Sequence, residues 1–107
     1  MTNDSTLGGY FEVHQRPPAF TGSDGRAYSV ALYVDEAENP KGPFAGALLF
    51  VRWTAAGDGP EGHLETGYLA FGETAAAVEQ DLRALTLHQV KQHLDALILH
   101  AKDLAEW

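Results

Sequence analysis

Residues 44–53 read Phe44-Ala45-Gly46-Ala47-Leu48-Leu49-Phe50-Val51-Arg52-Trp53, and this stretch decides the fold. Side chains of an extended strand alternate between two faces. Phe44, Gly46, Leu48, Phe50 and Arg52 therefore share one face, and Ala45, Ala47, Leu49, Val51 and Trp53 share the other. Both faces are largely apolar, so the strand needs cover on both sides.

On the N-terminal side, residues 35–43 mix charge with Asn39-Pro40 and Gly42-Pro43 punctuation and read as a solvated connection. Residues 27–34 read as a strand, entered from the turn cluster Thr21-Gly22-Ser23-Asp24-Gly25. Tyr10-Phe11-Glu12-Val13-His14, rich in aromatic and β-branched residues and stopped by Pro17-Pro18, reads as a first strand. Residues 1–9 are polar or small and form a flexible lead-in. On the C-terminal side, the Gly-rich turn at 57–62 leads to a fourth strand over 63–71.

From Thr74 the period changes. Thr74 is placed to cap a helix, and no Gly or Pro interrupts the chain from there to Trp107. Apolar positions run Val78, Leu82, Leu85, slip by two, and resume as Leu87, Val90, Leu94, Leu97, Ala101 and Leu104. At the slip, Thr86-Leu87-His88-Gln89 has the form of a capping box, which favours two helices over one kinked helix. Strands followed by helix, without βαβ alternation, predict an α+β domain over residues 10–107. Its sheet part, 10–72, is a four-stranded antiparallel meander, and its helical part, 73–107, packs on one face.

A chain of 107 residues supports one core of ordinary size. Seven Lys plus Arg against fifteen Asp plus Glu give a formal charge of -8, which disfavours a polyanionic partner. Only Arg16, Arg26, Lys41 and Arg52 precede Gly72 as cations, so aromatic side chains on the sheet lack the basic surround of a base-stacking platform. The absence of cysteine removes disulfides, thiolate metal sites and cysteine nucleophiles, and favours a cytoplasmic location. The first residues lack a basic, then apolar, signal pattern. The longest apolar run, 45–51, is too short to cross a bilayer, so no membrane association is expected.

Two acidic-histidine pairs stand out, Glu12 with His14 and His63 with Glu65. The i, i+2 spacing puts each pair on one face of a strand, and two imidazoles with two carboxylates could surround a divalent ion. In a meander, however, the two strands lie at opposite edges, and most such spacings are incidental. His88, His93 and His100 are five and seven residues apart, wrong for chelation along a helix. Nucleophile and phosphate-cradle signatures are missing, and neither a catalytic residue nor a cofactor is expected.

The leading expectation is a non-enzymatic association module, a homodimer or a domain that joins another protein, whose contacts come from Tyr33, Phe50, Trp53, Tyr68, Leu94, Ile98 and Trp107. The alternative is a small-molecule or metal-binding, even hydrolytic, domain with a pocket between sheet and helix that uses Glu12, His14, His63 or Glu65.

Overall fold

A computed structural model describes residues 4–105, so the expected contact at Trp107 lies outside the described residues. The elements are α1 (Leu7–His14), β1 (Ala19–Thr21), β2 (Ala27–Asn39), β3 (Gly42–Trp53), β4 (Pro60–Glu65), β5 (Ala70–Gly72), α2 (Ala75–Arg83) and α3 (Leu87–Ala105). The sheet is an antiparallel meander in the order β1-β2-β3-β4, and β5 pairs with β3 on the same side as β4. The α+β class and the C-terminal pair of helices match the expectation from sequence.

The strand expected over Tyr10-Phe11-Glu12-Val13-His14 is instead helix α1, and Leu7, Gly8 and Gly9, expected in the lead-in, form its first turn. Thr6 caps it, its Oγ1 accepting a hydrogen bond from the Gly9 N–H at 3.0 Å. Eight residues are too few for a helix to persist alone. Backbone bonds pin it at the helical junction: Leu7 N–H donates to the Leu85 carbonyl and Leu87 N–H to the Ser5 carbonyl, both at 2.8 Å. Gly8 makes the approach possible, because a Cβ there would stand 2.8 Å from the Arg83 Cβ. The first strand is the short β1, after Pro17-Pro18.

The connection expected over 35–43 is also corrected. β2 and β3 run through it to a tight turn, pairing up to Asn39 with Gly42. The Asn39 side chain holds the turn, its Oδ1 accepting from the Lys41 N–H at 2.9 Å and its Nδ2 donating to the Ala37 carbonyl at 2.8 Å. The fourth strand, read as continuous over 63–71, is split into β4 and β5. Thr66 bridges the break by donating its N–H to the Leu48 carbonyl and accepting the Leu48 N–H on its hydroxyl, each at 3.0 Å.

The helices behave as the sequence implies. Thr74 Oγ1 accepts from the Ala77 N–H at 3.1 Å. The capping box closes both ways: Gln89 N–H donates to Thr86 Oγ1 at 3.1 Å, and Thr86 N–H donates to Gln89 Oε1 at 2.9 Å. Val78 and Leu82 of α2 and Val90 and Leu94 of α3 are fully buried with Tyr28, Val30, Leu48 and Phe50 of the sheet. These sheet residues are all even-numbered, so the even face is the one under the helices. Gly46 lies at the closest approach: a Cβ there would meet Val78 Cγ1 at 2.6 Å and Leu82 Cδ1 at 2.8 Å.

Gly46→Ala is therefore expected to destabilise the chain by about 1–3 kcal/mol through overpacking under α2. Gly67→Ala, whose Cβ would meet nothing within 4 Å, should stay within about 0.5 kcal/mol of the parent. Urea unfolding followed by circular dichroism measures both, and equal midpoints for the two variants would refute this account of the α2 contact.

Candidate functional site

The odd-numbered side chains of the central strands occupy the face that the helices leave open. Register places Tyr33 opposite Ala47, Ala31 opposite Leu49 and Ser29 opposite Val51, with Leu49 and Val51 facing Glu65 and His63 across β4. Asp35 and Phe71 flank Ala45 on the same face. Ala45 and Ala47 are buried there between taller neighbours, while Tyr33, Leu49, Val51, Trp53 and Phe71 are half-buried and Tyr68 is exposed.

The polar atoms of this surface are largely satisfied within it. Trp53 Nε1 donates to Ser29 Oγ at 3.1 Å. The Tyr68 hydroxyl donates to Asp35 Oδ2 at 2.9 Å, and its ring meets Phe71 edge-on with centroids 6.3 Å apart. His63 Nε2 lies 3.7 Å from Glu65 Oε1. The hydrogen bond to Asp35, with a smaller effect of burial, raises the Tyr68 phenol above its ordinary value of 10.0. Tyr33 is raised by burial first and by the Glu65 and Asp35 carboxylates second. Both phenols stay neutral below pH 10, and that of Tyr68 is a hydrogen-bonding tip on an apolar ring. A shallow depression of about 530 Å³ lies at one end of this face, lined by Leu49, Val51, Pro60, Gly62, His63 and Glu65.

Of the expected contact residues, Tyr33, Trp53 and Tyr68 lie on this face. Phe50 and Leu94 do not: both are 0% exposed, packed between sheet and helices, and have no surface to offer. Ile98 is half-buried against the core. Sequence reading passed over Leu49, Val51 and Phe71, although Leu49 and Val51 share the parity of Trp53 along the strand.

The four expected metal ligands are not gathered. Because 10–14 is helical, Glu12 and His14 sit on α1, where Glu12 lies 3.9 Å from the Arg83 guanidinium and His14 3.3 Å from Asp4. His63 and Glu65 sit on the open face of β4. Among the described residues, no three His, Asp or Glu side chains come together as a metal site.

A cleft of about 310 Å³ does form between the sheet and α3, lined by Asp24, Tyr28, Arg52, Leu64, Ile98, Ala101 and Lys102. None of the four expected ligands lines it. The Tyr28 hydroxyl donates to Asp24 Oδ2 at 2.7 Å. Burial would raise the Asp24 carboxyl, but the bonds from Tyr28 and the Arg26 N–H outweigh it and hold Asp24 below its ordinary value. Burial and the same bond raise Tyr28.

No family model matches the chain, and neither a curated protein nor a solved structure shows a significant match to it. No helix among the described residues is long and apolar enough to cross a membrane.

Tyr28, Tyr33 and Tyr68 hold their protons more tightly folded than unfolded. Their contribution to stability is fully present below pH 10 and is lost as pH rises through the raised folded values, because the unfolded chain then releases protons first. Urea midpoints taken from about pH 9 to about pH 12 should fall, and Tyr68→Phe should make the fall shallower. A Tyr68→Phe profile that overlays the parent would exclude the Tyr68–Asp35 bond as a contributor.

Proposed function

We propose that this chain is a non-enzymatic protein-association domain that pairs with a second copy of itself through the helix-free face of its sheet. The observation that carries this reading is the row Tyr33, Leu49, Val51, Trp53, Tyr68 and Phe71 on a face that no helix covers. Tyr and Trp are the side chains that most often anchor interfaces, since they bury large area at low entropic cost. The Trp53 indole N–H, the Tyr68 hydroxyl and the Asp35 carboxylate are already bonded within the face. Desolvating the face therefore leaves few polar groups without partners.

The size also suits a dimer. β3 has 12 residues, about 40 Å at ~3.3 Å each, and three strands side by side span roughly 15 Å. The face is then on the order of 600 Å² before side-chain relief, comparable with the ~800 Å² each partner contributes to a standard interface. Two such sheets stack about 10 Å apart, as in a sandwich.

Light scattering coupled to size exclusion should return twice the chain mass of 11.6 kDa. Leu49→Lys should shift the protein to the monomer mass, whereas Leu99→Lys, at an α3 side chain that is 60% exposed, should leave the dimer unchanged. A mass that stays at 11.6 kDa at every concentration, or a dimer indifferent to Leu49→Lys, rules the reading out.

A further inference from the structure

The outer edge of β2 is paired for only a fraction of its length. β1 covers Ala27 to Ser29, and among the described residues no other strand lies alongside β2 on that side. The residues that precede β1 are Pro17-Pro18, which have no N–H with which to continue the ladder. The Gly22 N–H donates to the Arg26 carbonyl at 2.8 Å, so even-numbered residues of β2 turn their main-chain groups outward. Antiparallel alternation carries this along the strand to Leu32, Val34 and Glu36.

Two further features flank this free edge. Where the ladder stops, Leu7, Phe11, Pro17, Pro18, Ala31 and Leu32 help to line an almost wholly apolar cavity of about 240 Å³. An apolar cavity of about 150 Å³ is already enough to take up a benzene ring. Phe11 at its rim is 45% exposed. Farther along, the edge carries Glu36 and Glu38, both exposed, and among the described residues neither has a cationic partner.

From this juxtaposition we infer that the free edge of β2 is the docking site for an extended, basic segment of a partner protein. The segment adds a strand along residues 32–36, as far as the register of β2 stays regular, and seats one apolar side chain in the cavity beside Phe11. Main-chain hydrogen bonds hold the added strand, as in β-augmentation elsewhere. Lysine or arginine at alternate positions answers the carboxylates of the edge, and the cavity sets the register. A second copy of this chain is a poor occupant, because it would bring its own acidic edge against the same carboxylates. This site is separate from the sheet face and does not depend on dimerisation.

The test uses fluorescence anisotropy with the full chain and a labelled peptide that alternates lysine with valine and ends in phenylalanine. Saturable binding is expected, weakened roughly tenfold by Glu36→Lys combined with Glu38→Lys and by Phe11→Ser. N-methylation of alternate peptide nitrogens should abolish binding by removing the ladder donors. A peptide with glutamate in place of lysine should bind only the double variant that carries both glutamate-to-lysine changes. Leu49→Lys should bind the lysine peptide as the parent does. Circular dichroism confirms that each variant is folded. Failure of the parent to bind the lysine peptide overturns the inference, as does equal binding of the glutamate or N-methylated peptide.

Discussion

Strand β3 is apolar on both faces, and the helical segment that follows it in the chain can cover only one. The side chains of β3 cannot turn away from either face, because the pleat fixes their alternation. Gly46 lies on the face that is covered. A Cβ there would run into Val78 and Leu82, so its absence lets α2 settle closely against the even residues. α3 extends the same layer through Val90 and Leu94, and Leu7 of α1 closes it. The odd residues are left with only each other and the flanking strands. Their response is chemical: Trp53 bonds to Ser29, Tyr68 to Asp35, and His63 stands beside Glu65. Polar tips are tied down, and the rings and branched aliphatics remain on view.

The helical third was legible because its signals are local. Thr74 and the Thr86–Gln89 box each act within three residues, and the structure contains the hydrogen bonds they specify. What was not legible depends on distant contacts. Tyr10-Phe11-Glu12-Val13-His14 has strand composition, yet it is helical because its start is bonded to the α2–α3 junction and Gly8 lets it approach Arg83. Residues 35–43 carry the charges and prolines of a loop. They extend the hairpin because Asn39 organises the turn and because the outer edge of β2 tolerates carboxylates that a central strand would not.

The same distinction governs the candidate site. Period-two reading places Trp53 beside Leu49 and Val51, and residue type singles out Tyr33 and Tyr68. Parity also separates Phe50 from Trp53, so a contact surface containing both was excluded by geometry already present in the sequence. The four expected metal ligands lie apart for a different reason. An i, i+2 pair shares a face only on a strand, and the Glu12–His14 pair lost that premise when 10–14 became helical.

Edge protection gives the two rims of the sheet different characters. On the β4–β5 side the ladder is broken at Thr66, whose hydroxyl takes the place of a backbone acceptor for the Leu48 N–H. Gly62 and Pro60 weaken it further, and an irregular edge of this kind resists added strands of any charge. The β2 side is long and acidic, and its register is regular as far as Glu36. Charge excludes only strands of like charge, so an acidic edge disfavours pairing with its own copy more than pairing with a basic strand. With a formal charge of -8, the molecule has a face on which charges are few and paired, and an edge on which carboxylates are concentrated and exposed. Self-association is compatible with the first, and discrimination among partners with the second.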